Sequence, residues 1–169
     1  LFLSAATTMF PNTGIPTLSA VPSTLRIPLA ARALGDTLFP QMAVDDRHAA
    51  SALARMGDDG QQLLRDRQSV YGVLGRTRRF RDQALAFVAL HPDAHVVNLG
   101  CGLSDYLQWI DNARMHMIDA DLPEVMAIRC DILPSRHERH LLAELDLTTP
   151  DWWDRLDLPS SRDGKPVFL

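Results

Sequence analysis

Three places in the chain set residues that can do chemistry at the ends of apolar runs. Gly100-Cys101-Gly102 closes "AHVVNLG", Asp119-Ala120-Asp121 closes "ARMHMIDAD", and Asp146-Leu147 closes "HLLAELDL". Glycines separated by one residue let the backbone turn sharply and let a ligand approach the main chain without meeting a Cβ. Asp119 and Asp121 are read as projecting differently, so that one stands at the carboxyl end of its strand, where a ribose would lie. A carboxylate there accepts two hydroxyl protons. Asp146 can take an adenine amino group while Leu147 packs against the ring face. A ligand close to the main chain is implied.

Each residue also has a plainer reading. A G-x-G turn serves equally as a tight strand-to-helix connection. Asp121 and Pro123 suit a helix cap and a first-turn proline, and Asp146 can cap the segment after Thr148. A dinucleotide fold wants a third glycine to seat a pyrophosphate at a helix start. Asp105 occupies that position, and its charge would repel the pyrophosphate, which disfavours a nucleotide-dependent oxidoreductase.

The elements that position these residues follow from the change of period. From Ser23, Leu25, Leu29, Ala33 and Leu34 recur at near-helical spacing, with Ser23 or Thr24 to cap and Pro40 to stop. "VDDRHAASALARMG" predicts a second helix, started by Asp45 or Asp46 and closed by Gly57. Phe80, Ala84, Phe87 and Val88 form an apolar stripe on a third helix that ends at His91-Pro92. Beyond it come the three apolar runs, with helical segments between them, and a last run "KPVFL". Strand and helix alternating at this rhythm predict an α/β fold with a doubly wound parallel sheet. The expected organisation is a flexible leader at 1–22, a helical region at 23–92 and an α/β part at 93–169. The strand that opens the second half of such a sheet should pair beside the first, so stopping there predicts an exposed apolar edge and a truncated chain capable of self-association.

Composition narrows the class. With 169 residues, 46% of them hydrophobic, the chain can build one core. Net charge is −4, and Lys and Arg are scattered apart from a cluster at Arg76 to Arg81, which argues against a nucleic-acid partner. Cys101 and Cys130 belong to no CxxC pair, which argues against a zinc site or a disulfide scaffold and fits a cytoplasmic setting. "HERH" at 137–140 lacks the HExxH spacing of a zinc site, and His137 and His140 are read as helix-surface residues. The opening "LFLSAATTMF" has no basic n-region and is too short to span a bilayer; it begins with Leu rather than Met, which reads as a processed chain or a fragment.

Five stretches together resemble the leucine carboxyl methyltransferase family and its bacterial branch of tetracenomycin-type polyketide O-methyltransferases. They are "TLRIPLAARAL" at 24–34, "RTRRFRD" at 76–82, "VVNLGCGL" at 96–103, "DADLPEV" at 119–125 and "LDLTTPDWWDRL" at 145–156. The resemblance implies the class I, Rossmann-like methyltransferase fold and S-adenosylmethionine as cofactor. It also implies roles: Arg76 pairing with the methionyl carboxylate, Gly100 and Gly102 beside the methionine part, Asp121 on the ribose hydroxyls, and Asp146 and Leu147 on adenine. Within its cluster Arg76 can also be read as part of a solvated helix face. The sequence departs from the family at Ser104-Asp105-Tyr106, where an acidic residue, Thr, and Arg or a similar polar residue are usual.

The expected reaction is O-methylation of a small-molecule carboxylate or hydroxyl. A carboxylate is already ionised at neutral pH, so positioning suffices; a hydroxyl needs a base, and no catalytic residue is identified. The alternative is an inactive remnant that serves as a partner subunit.

Overall fold

The computed structural model describes residues 23–57 and 59–169, so the expected leader at 1–22 lies outside the described residues. Four strands form one sheet: β1 (His95–Leu99), β2 (His116–Asp121), β3 (His140–Glu144) and β4 (Val167–Phe168). Their order is β3-β2-β1-β4 and every pairing is parallel. The last apolar run therefore does pair beside the first. Strand order reverses between β1 and β4, and in an open parallel sheet the crevice for a ligand opens outside the carboxyl ends at such a point.

The alternation of each strand gives the sheet two faces. Val96 and Met117 pack on one face against Ala84, Val88, Leu107 and Ile110. Val97, Ile118 and Ala120 pack on the other against Leu145 and Leu156. The first face is covered by α3 (Arg67–Leu90), α4 (Leu107–Ile110) and α5 (Pro123–Ile132). The helices between strands are shorter than the alternating rhythm suggests. After α4 the chain leaves helix because Asp111 and Asn112 accept hydrogen bonds from the N–H groups of Ala113 and of Arg114 and Met115, and Ala113 turns to a φ of +64°.

Two earlier helices complete the layer: α1 (Ser23–Leu38), which carries Pro28 inside it, and α2 (Ala49–Arg55). The carboxylate of Asp46 starts α2 by accepting from the N–H groups of His48 and Ala49, both at 3.1 Å. Asp66 does the same for α3. Leu29 and Ala30 of α1 share a core with Ala52 and Leu53 of α2, and also with Leu103 and Leu133 of the α/β part. The helical layer thus presses on the segment after β1.

Two expectations are corrected. The buried stripe of α3 runs through Val70, Leu74, Thr77, Ala84 and Val88, whereas Phe80 is half exposed. His140 opens β3 and is buried, so the surface reading fails there. None of the described helices is long and apolar enough to cross a membrane.

Candidate functional site

The turn after β1 is the centre of the site. Gly100 and Gly102 have φ of +63° and +50°, a region that side chains with a Cβ rarely adopt. A Cβ on Gly100 would meet nothing within 4 Å, so this face of the turn is open. Its carbonyls are held by buried cations: Arg129 donates to Gly102 O at 3.0 Å and Ser104 O at 2.6 Å, and Arg32 donates to Leu103 O at 2.7 Å. Arg32 is in turn fixed by Asp46 at 2.9 Å. Cys101 is buried beside Met126, and burial pushes its thiol well above the usual range, so it is no nucleophile.

Arg129 is anchored by Asp119, a carboxylate sealed under the turn. Asp119 also accepts from Asn98 at 2.8 Å and contacts His140 Nε2 at 2.9 Å. Burial works against its charge, yet the hydrogen bond from His140 and the Arg129 guanidinium outweigh that and hold the carboxyl below its ordinary range. Two residues apart on one strand, Asp119 and Asp121 share a face, contrary to expectation. What separates them is depth. Asp121 reaches the edge of the turn, where Oδ2 accepts from Gly102 N at 2.7 Å and Oδ1 from Leu122 N at 2.8 Å. Pro123 takes the first position of α5, but the cap is Leu122 rather than Asp121.

A cavity of about 430 Å³ opens over this turn, lined by Arg32, Arg76, Thr77, Phe80 and Tyr106 together with Gly100 and Gly102. Arg76 makes no hydrogen bond or ion pair among the described residues, a free cation facing the cavity. Its cluster divides: Arg78 donates to Gln41 O at 2.6 Å, Arg81 contacts Asp82, and Arg79 is exposed. Gly100, Gly102 and Arg76 are therefore brought together on the cavity, and Asp121, which does not line it, is joined to them through Gly102 N. Asp146 and Leu147 are outside this cavity, just past the end of β3, where Leu145 N donates to Asp121 O at 2.8 Å. Asp146 Oδ1 accepts from Thr148 N and Thr148 Oγ1, the local cap foreseen as its plainer reading, and this keeps its carboxyl below the ordinary range.

At the departing triplet, Asp105 turns inward to Arg136 and to His48, whose Nδ1 is 2.8 Å away. Its charge is thus matched, and repulsion is a weaker argument against a pyrophosphate than the length of α4: a single helical turn offers little dipole to an anion. Tyr106 faces the cavity instead.

A model of the leucine carboxyl methyltransferase family matches residues 20–168. The chain belongs to this family. It is also 33% identical over 138 residues to the tetracenomycin polyketide synthesis O-methyltransferase TcmP of Streptomyces glaucescens. That match covers 81% of the chain and 50% of the relative, so the chain spans about half the length of that relative. Within the family frame, sequence reasoning missed Arg32, Arg129, Asn98 and His140, the residues that support the turn. A signal existed for the arginines: Arg129 lies in register with Val125, Met126 and Leu133, and Arg32 with Leu25 and Leu29, cations inside apolar stripes.

Proposed function

We propose that the chain forms the cofactor-binding part of an S-adenosylmethionine-dependent O-methyltransferase that acts on the carboxylate or hydroxyl of a small molecule. The observation that carries this reading is the meeting, over one cavity, of the Arg76 guanidinium and an open glycine turn, with the Asp121 carboxylate held behind that turn by Gly102 N. Arg76 would hold the methionyl carboxylate as a planar fork facing a planar acceptor. Each Asp121 oxygen accepts one backbone N–H and keeps a second lone pair, enough for the two ribose hydroxyls. Asp146 Oδ2 accepts no hydrogen bond among the described residues and would take the adenine amino group, with Leu147, 45% exposed, against the ring.

When bound, S-adenosylmethionine supplies an electrophilic methyl group to an acceptor oxygen. The chain's residues bind and orient: Arg129 and Arg32 keep the turn in place, Asp119 keeps Arg129 in place, and no proton need move for a carboxylate acceptor. TcmP is by its name an O-methyltransferase of polyketide synthesis, which supports an oxygen acceptor here.

The role of Arg76 separates this ligand from a simple nucleoside. Arg76→Met weakens S-adenosylmethionine binding by roughly tenfold or more and leaves adenosine binding unchanged, measured by calorimetric titration of both ligands. Equal loss for both, or none for either, sinks the assignment of Arg76.

A further inference from the structure

The amino-terminal end of the sheet, opposite the glycine turn, holds a pair of imidazoles that the candidate site does not use. His95 and His116 are register partners at the starts of β1 and β2. Register partners on neighbouring strands share a face about 4.8 Å apart, and the two rings accordingly stack, with centroids 4.7 Å apart and planes 7° from parallel. His95 is also where β4 is attached: its N–H donates to Pro166 O at 3.0 Å and it stands in register with Val167. β4 is two residues long and pairs with β1 alone among the described residues. We infer that the stacked His95–His116 pair is an acid-sensitive latch on β4, closed while both rings are neutral and opened when His95 takes a proton.

The surroundings of His95 accept a neutral ring and oppose a charged one. Its Nδ1 is buried with no hydrogen-bond partner among the described residues. A neutral imidazole can leave that nitrogen bare, whereas the cation carries N–H on both nitrogens and would bury one donor without an acceptor. The charge would also face His116 across the stack, and Lys165, which lines with His95 a cavity of about 490 Å³ at this end of the sheet. The nearby carboxylates are engaged or solvated. Asp93 is paired with Arg114 at 2.9 Å, Asp163 accepts from Ser160 N at 2.7 Å, and Asp157, on the same cavity, is exposed. Beyond β2, Arg139 is turned to Asp111 at 3.2 Å, and at the end of α3 His91 packs on Phe87. Partial burial, then His116 and Lys165, hold the imidazole of His95 below its usual range. Such a group stabilises the fold fully above the free imidazole's pKa of about 6.5, and the contribution is lost as pH falls through the folded value.

The latch reaches the flank of the candidate site. Phe168 of β4 packs on Phe87 at 5.2 Å between centroids, and with Phe80, Ala84 and Met117 it walls a cavity of about 220 Å³ between α3 and the sheet. This cavity shares Leu99 and Tyr106 with the larger one over the glycine turn. Release of β4 takes away that wall and leaves the turn itself in place, whatever ligand the turn holds.

The test is hydrogen exchange of the 169-residue chain, read by mass spectrometry at about pH 7.5 and about pH 5.5, either side of the free imidazole's pKa of about 6.5, with rates corrected for the intrinsic effect of pH. Protection of the amides at Val167 to Leu169 is expected to fall on acidification, by up to about tenfold per pH unit, the limit for one proton taken up, while the amides of β3 keep theirs. His95→Phe keeps a flat ring in the stack without the proton and is expected to abolish the fall. Should that variant fail to fold, Lys165→Gln, at an exposed position, is expected to reduce the fall and decides the matter. Unchanged protection of β4 in the wild-type chain, an equal loss in β3, or a fall in folded His95→Phe (or, failing that, Lys165→Gln) as large as in wild type overturns the inference.

Discussion

Arg129→Met lowers the stability of the folded chain by about 3–5 kcal/mol, the cost of leaving a buried carboxylate without its cation. Asp119 has essentially no exposed surface, and without Arg129 its hydrogen-bonding partners among the described residues are His140 and Asn98. The same substitution frees the carbonyls of Gly102 and Ser104, so the turn loosens even in molecules that remain folded. Arg129→Lys rescues little, since a single ammonium cannot serve two carbonyls and a carboxylate from one planar fork. The effect also has a pH signature. The folded carboxyl of Asp119 lies below its ordinary value, so its stabilising contribution is complete above the unfolded carboxyl's pKa of about 3.9 and is lost as pH falls through the folded value. Urea denaturation followed by circular dichroism should show the full gap between wild type and Arg129→Met at neutral pH and a narrowing gap in acid. A gap below about 1 kcal/mol at neutral pH, within the range of an ordinary substitution, refutes the claim that this network holds the turn.

Asp121→Ala weakens S-adenosylmethionine binding by roughly 10- to 100-fold, the loss expected for hydrogen bonds to a charged acceptor. It removes both the proposed ribose contacts and the acceptor for Gly102 N. Asp121→Asn separates the two effects. It keeps one oxygen for Gly102 and gives up the charge, so its loss should be smaller than that of Ala. Methionine alone, which has no ribose, should lose little affinity in Asp121→Asn. Equal losses for the ribose-bearing and ribose-free ligands in that variant contradict the ribose assignment.

The sheet was legible because each strand announces itself as an apolar run that stops at Gly or Asp, and a parallel sheet lines up all such stops on one edge. Gly100, Gly102 and Asp121 come together for that reason. Less legible was whatever depends on which side of a helix meets which neighbour. Phe80 has the spacing of a core residue, yet α3 turns it to the cavities because α1 and the sheet occupy other sides of the helix. His140 looks like one of several dispersed polar residues, and only the closing of β3 beside β2, which pairs it with Met117 and brings Asp119 within reach, makes it a buried partner. Arg32 and Arg129 were passed over because a cation on a helix is normally solvated, and here both are recruited by backbone carbonyls that a tight glycine turn would otherwise leave unpaired. Asp146 answered to its local turn first, with one oxygen spare, so its two readings are compatible.

The cavity over the Gly100–Gly102 turn is proposed to take S-adenosylmethionine and not a dinucleotide. Parallel calorimetric titrations of the folded chain with S-adenosylmethionine and with NAD test it most directly. Saturable binding of the first at one site per chain, and no saturation by the second at the same concentrations, are expected. A folded chain that takes NAD, or that takes neither, contradicts it.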